Sequence, residues 1–422
     1  LRNKVFLLLA VFVLLLAVLV ACNSNESSSE SNESASELTM WAWPGFGLEE
    51  LAAEYEEETG ITITIQEAEY GDVHQNLITA LASGSGAPDI SAVDQGYLDQ
   101  MKQNQDQFNN LFDFGGEELE GVYLDAKWAQ ATNVEEDFLL GVPTDVGPMV
   151  MAYREDIFEE AGLPTDPDEV AAAIDSWDAY VEAGRQVREN TDAYMINRTT
   201  DLYLAILDQA ETQYFTTDEE FIGDESEQSL KAWEIASDAT DISMNIERST
   251  PEWGTALGNG EIATVLLPPW MLQNVKNAAP DTAGQWNITF MPEGSGNFGG
   301  SFLTVPKQSE HPQDAYDFAK WIMAPEQQLR IFENGGPFPS TPGVYDEPAI
   351  QNLEDDFVNS DQLGVLYAEA AEEIVAGYKG VMHDPISELF QDALISIEDG
   401  SVSEEEAWNQ ALEEAERQLG RQ

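Results

Sequence analysis

The chain has 422 residues, 43% of them hydrophobic and 10% aromatic, which is enough for two ordinary domains with buried cores. Its 80 acidic residues against 17 basic ones give a formal net charge of −63, a balance that excludes a nucleic-acid-binding surface. The single cysteine, Cys22, excludes an internal disulfide, so stability has to come from the cores.

In chain order, Arg2 and Lys4 precede an apolar run from Val5 to Ala21 that is short for a membrane-spanning helix and is followed by no basic cluster. Residues 1–21 therefore read as a secretory signal peptide. After Cys22, residues 23–37 contain only Ser, Asn, Glu and one Ala, too polar to bury a core, and 22–37 is expected to be a solvated leash. A strand is predicted in ELTMWAW, then an amphipathic helix in GLEELAAEYEEETG closed by Gly60, a residue suited to a left-handed C-terminal position. ITITIQEAE, the helix DVHQNLITALASG and the strand APDISAVD follow. This alternation predicts a parallel α/β sheet with ligands at the carboxyl ends of its strands, where the loops hold Trp43, Glu69 and Asp94. Further on, PMVMAYREDIFEEAG and AYMIN read as strand and helix material, and IATVLLPPW, WNITFMP and SFLTVPK as three more strands. The last 110 or so residues read as mostly helical, from HPQDAYDFAKW onward.

The acids are not gathered into one block that would face a cationic partner. They are spread along nearly every helical segment, as in EELAAEYEEETG and SEEEAWNQALEEAERQLG, the pattern of a halophilic surface whose self-repulsion is screened by salt.

LVAC, at Leu19 to Cys22, resembles the lipobox of bacterial lipoproteins, which implies that Cys22 becomes a lipidated N-terminus held on the outer face of the cell membrane. The run from LTMWAWPGFG to APDISAVD, then GVPTDVGPMVMAYREDIFEEAGLP, NGEIATVLLPPWM, and GGSFLTVPK through FENGGPFPST, resemble in order the extracellular solute-binding proteins of carbohydrate ABC transporters, the maltose-binding-protein-like family. The resemblance covers essentially everything after the leash. It implies a two-lobed α/β fold with an interlobe hinge and a ligand cleft, lobe one comprising 38–146 plus 303–341 and lobe two 147–302 plus 342–422. It also implies a monomer that captures a sugar or oligosaccharide and delivers it to the transporter's permease, with no cofactor and no metal.

A sugar site needs aromatic plates for apolar ring faces and carboxylates or amides for hydroxyl rims. Trp270, following IATVLLPP, is the first plate candidate, the alternative being a tryptophan that packs the core of lobe two. Trp43, beside Pro44 and Gly45, is the second, with ligand contact and structural packing equally open. Asp94 matches a ligand-contacting aspartate of the family; Asp145 lies near the first crossing between lobes and could equally cap a turn. Glu69 and Asn197 are weaker candidates, Phe338 matches a region near the cleft, and Gly299, Gly300 and Ser301 form a small-residue loop that allows close approach or hinge freedom.

No enzymatic constellation stands out: the three histidines, His74, His311 and His383, have no metal-ligand spacing, and there is no nucleophile elbow or phosphate loop. Two alternatives remain beside sugar capture. One is capture of a non-sugar solute such as a polyamine or compatible solute; the other is a glycan hydrolase with paired carboxylates. The charge makes its own prediction. With a Debye length of about 30 Å at 0.01 M salt and about 3 Å at 1 M, the melting temperature should rise steeply between those concentrations; a flat profile would contradict a halophilic surface.

Overall fold

The computed structural model describes residues 34–420. The expected signal peptide, Cys22 and the leash as far as Glu33 lie outside the described residues. Among the described residues eight strands organise the fold: β1 (Glu37–Ala42), β2 (Thr62–Glu67), β3 (Ile90–Asp94), β4 (Gly141–Pro143), β5 (Val150–Arg154), β6 (Thr264–Leu267), β7 (Trp286–Phe290) and β8 (Ser301–Thr304). They form a five-stranded sheet in the order β2-β1-β3-β8-β4 and a three-stranded sheet in the order β6-β5-β7, one in each lobe. Glu37, expected at the end of the leash, is instead the first residue of β1 and pairs with Thr62.

The parallel expectation holds for β1 with β2 and β3. It fails elsewhere: β8 is antiparallel to both β3 and β4, and the second sheet is antiparallel throughout. The reason is connectivity, since β8 returns from the other lobe and enters beside the end where β3 leaves, Ser301 pairing with Asp94. Ser301 and Phe302, expected in lobe two, thus belong to the first sheet. AYMIN forms no strand; Tyr194 and Ile196 make only isolated bridges, to Ile262 and Ser243.

Local chemistry explains the elements. Gly60 closes the helix Glu49–Thr59 with φ +79°, as its position suggests. This helix buries Leu51, Ala52 and Tyr55, and Tyr55 meets Phe318 at 5.0 Å and Trp321 at 5.2 Å on the helix Pro312–Ile322. In the second lobe β5 is buried on both faces, which is why its sequence is a continuous apolar run rather than an alternation. Met151 and Tyr153 point into one core with Trp177, Tyr203 and Phe390, while Val150 and Ala152 point into another with Trp253, Trp286 and Tyr367. The C-terminal helices Leu363–Glu372, His383–Glu398 and Glu404–Leu419 complete these two cores.

Two crossings join the sheets, 144–149 and 291–300, and they run side by side. Thr144 N–H donates to Ser301 O at 2.9 Å, Phe298 N–H to Gly147 O at 2.9 Å and Met149 N–H to Gly296 O at 3.0 Å, while Gly147 N–H reaches the Asn297 side chain at 3.0 Å. Gly147 is required here, because a Cβ would stand 2.1 Å from Phe298 O. A third stretch flanks them, with Val146 N–H donating to Phe338 O at 3.1 Å.

His74, on the helix Tyr70–Ser83, ties that helix to the end of β3. Its Nδ1 lies 2.8 Å from Tyr70 O, a carbonyl that only accepts, so Nδ1 carries the proton; Nε2 accepts Asp94 N–H at 3.0 Å. Both nitrogens are committed to the neutral ring, which stacks on Tyr97 at 3.9 Å, and burial pushes its pKa down to about 4. Because an unfolded histidine titrates near 6.5, the stabilisation is complete above that pH and is lost as pH falls toward 4. The stability difference between the wild type and His74→Gln in urea unfolding should therefore shrink by about 3 kcal/mol from pH 7 to pH 4. A difference independent of pH would show that the ring is not held neutral.

Candidate ligand cleft

Beside the crossings lies a cavity of about 370 Å³ whose lining includes Trp43, Asp94, Asp145, Trp270, Gly300 and Ser301. Six residues singled out from the sequence thus meet in one place. Phe46, Tyr70 and Pro337 also line it and were not anticipated.

The first lobe supplies an aromatic wall from the loops after β1 and β2. Trp43 meets Phe46 at 5.0 Å and Tyr70 at 5.3 Å, both edge-on, and His74 at 5.1 Å. Tyr70 opens the helix that follows β2, and 42% of it is exposed. Its hydroxyl donates to Asp94 Oδ1 at 3.1 Å, and burial together with Asp94 keeps that hydroxyl protonated, its pKa far above the usual phenol value. Asp94 caps the helix Gln95–Gln103, the same Oδ1 accepting Gly96 N–H at 2.9 Å.

The second lobe supplies Trp270, in the first turn of the helix Pro269–Ala278. It is 41% exposed, which overturns the alternative of a core tryptophan. One face stacks on Phe298 at 5.9 Å, its Nε1 donates to Phe298 O at 3.3 Å, and the Arg248 guanidinium sits 5.2 Å from the Phe298 ring. The indole is thus fixed against a supported ring. Gly299 borders it closely, a Cβ there falling 3.2 Å from Trp270 Nε1.

Between the two walls lies Asp145, nine-tenths buried, with Oδ1 accepting Ser301 N–H at 2.9 Å and the Thr144 hydroxyl. Burial raises the pKa of both carboxyls above the ordinary aspartate range. Opposing this are, at Asp94, the Gly96 N–H, the Tyr70 hydroxyl and Lys127, and at Asp145, Lys127, Thr144 and Ser301. The second oxygen of each carboxylate has no partner among the described residues. A surface with flat aromatic faces, free carboxylate acceptors and main-chain groups between them suits a ligand with apolar faces and hydroxyl or amine edges.

The other candidates are placed elsewhere. Glu69 is exposed just before the helix Tyr70–Ser83 and does not line the cavity; its neighbour Tyr70 does. Asn197 is buried, its amide spent on Asp201 at 2.8 Å and Ile246 O at 3.1 Å. Beside it a second hollow of about 360 Å³ is flanked by Arg198, Asp201, Arg248 and Glu388. Phe338 is 2% exposed and packs among Phe332, Tyr345 and Tyr367, so the adjacent Pro337, not Phe338, faces the cavity. Among the described residues no cluster of His, Cys, Asp and Glu has the arrangement to hold a metal.

Comparison with known proteins places this architecture. Residues 50–357 match the family described as bacterial extracellular solute-binding protein. An arabinooligosaccharide-binding protein of Halalkalibacterium halodurans is 27% identical over 340 residues, covering 76% of this chain and 74% of the relative. A lactose-binding protein of Rhizobium radiobacter is 28% identical over 312 residues, covering 68% and 70%. The crystal structure of an extracellular solute-binding protein of family 1 superposes with a TM-score of 0.87 at 33% identity, over 90% of this chain and 99% of that one. With a family match over most of its length and this superposition, the chain belongs to the bacterial extracellular solute-binding proteins.

Proposed function

We propose that this protein captures a short oligosaccharide in the cleft and presents it to the permease of an ABC importer. The observation that carries the reading is the opposition of aromatic walls across two carboxylates, Trp43 and Tyr70 on one side and Trp270 on the other. It is the arrangement a sugar ring needs, and relatives with sugar-binding names support it. As in other hinged binders, the ligand favours the arrangement in which both walls touch it. The mobile bodies are close to 38–146 with 303–341 and 147–302 with 342–422, with Glu37 and the strand residues Ser301 and Phe302 moving with the first. Binding proceeds without turnover, the protein acts as a monomer, and a lipid on Cys22 with the polar leash behind it holds the molecule near its permease. Mass spectrometry of the native protein that finds Cys22 unmodified with residues 1–21 attached would refute the anchor.

Four aromatic side chains around Asp94 and Asp145 would also serve a cationic solute. A calorimetric screen with arabinooligosaccharides, lactose, spermidine and glycine betaine in molar salt separates the readings. The expected result is that a sugar binds and is recovered intact, and that Trp270→Ala weakens it by about 2 kcal/mol, roughly thirtyfold, with little change in the melting temperature of the unliganded protein. Asp94→Asn should weaken it less, since an amide keeps one acceptor. Binding of only the amines, cleavage of the sugar, or a Trp270→Ala variant that binds like the wild type would each overturn the proposal.

A further inference from the structure

Lys127 lies on the helix Asp125–Ala131 with no exposed surface, and its Nζ has no hydrogen-bond partner among the described residues. Its Nζ sits over the face of Phe302 on β8, 4.1 Å from the ring centroid. In a chain with 17 basic residues to 80 acidic ones, a cation withdrawn from the surface and left without an acceptor needs a reason. Packing does not supply one, because an unbranched apolar side chain would fill the same slot without desolvating a charge.

The surroundings supply it. Gly300, at φ +91°, lines the cavity and also comes close to the ammonium. A Cβ on Gly300 would stand 2.7 Å from Lys127 Nζ and 2.7 Å from Asp145 O, so these two atoms lie within twice that distance of each other. The ammonium thus lies against Gly300 and near the main chain of Asp145, and the next residue, Ser301, pairs with Asp94 and donates its N–H to Asp145 Oδ1, so both carboxyl-bearing residues meet the chain beside it. We propose that Lys127 is a positioning residue whose buried ammonium holds Asp94 and Asp145 as carboxylates, so that both present acceptors to the ligand's hydroxyl groups. In its reference to the ligand, the inference rests on the sugar-capture reading.

Lys127 is faced by Asp145, Asp94 and Lys379; Asp94 by the Tyr70 hydroxyl, the Gly96 N–H, Lys127, Lys379, Asp145, the Asp384 carboxylate across Gly96 and the His74 ring at its main-chain N–H; Asp145 by Thr144, the Ser301 N–H, Lys127 and Asp94. Lys379 is itself paired with Asp208 at 3.0 Å, which leaves Lys127 as the cation not already committed. Burial pushes the Lys127 pKa down to about 8, so the side chain still carries its charge at neutral pH. Both carboxyls are pushed up by their own burial, and loss of the ammonium would push them up further.

The test needs no ligand at first. Aspartate carboxyl carbons are labelled with ¹³C, assigned through Asp94→Asn and Asp145→Asn, and titrated in the unliganded wild type and in Lys127→Met. The expected result is that at least one of the two midpoints moves up by about one pH unit or more in the variant, as removal of a close opposite charge requires. Unchanged midpoints would overturn the proposal, including the case where Lys127→Met merely binds more weakly by the same factor at every pH. Should Lys127→Met not fold, the wild type alone decides: the Asp94 and Asp145 carbons should show a second small step at alkaline pH as Lys127, lowered by burial, loses its proton, and the absence of any such step up to the alkaline limit of folding overturns the proposal. A second arm titrates arabinotriose and lactose between pH 5 and pH 8, where the acid-side loss of affinity should begin at higher pH in Lys127→Met. If neither sugar binds the wild type, the capture reading fails while the carboxyl titration still decides the role of Lys127.

Discussion

The structure depends on two chain crossings being tied to each other. Residues 144–149 and 296–301 share main-chain hydrogen bonds along their length, from Thr144 with Ser301 to Met149 with Gly296. Backbone amides buried at such a junction have to be paired, and pairing them with one another makes one ribbon of the two crossings. The ribbon therefore fixes the cleft's position and the identity of its floor, Asp145 from one crossing and Gly300 and Ser301 from the other.

The walls follow from the same constraint. Because β8 returns antiparallel beside β3, Asp94 at the end of β3 is brought opposite Ser301, and the loops after β1 and β2 carry Trp43 and Tyr70 to the same edge. Trp270 approaches from the second lobe through its contact with Phe298, itself a crossing residue. Electrostatics reinforces this geometry. Where most of the chain's carboxylates stand in solvent, Asp145 is buried and Asp94 half-buried, and one of the chain's scarce lysines, Lys127, is buried near them.

Much of this was legible in the sequence, because strands alternating with helices place strand ends, and ligand contacts gather at strand ends. Trp43, Asp94 and Trp270 were found in that way. Tyr70 was missed because it sits in the first turn of a helix whose apolar periodicity is clearer further along, although an aromatic directly after a strand's end was a usable signal. Phe338 and Pro337 differ by one position in an irregular loop, where no period tells which side chain turns inward. Asn197 ends the AYMIN segment, which forms only bridges, and its amide is drawn into holding Ile246 and Asp201. The antiparallel return of β8 was hidden for a different reason: strand direction depends on which lobe the chain arrives from, and local sequence carries no record of that.

The central claim is that the cleft beside the crossings holds a sugar between its two aromatic walls. A crystal structure of the protein with its oligosaccharide bound tests this most directly. The account predicts a sugar ring lying flat on Trp270, with hydroxyl groups donating to Asp94 and Asp145 and the wall of Trp43 and Tyr70 closing over its other side. A sugar lodged elsewhere on the molecule, with Trp270 still facing solvent, would contradict it.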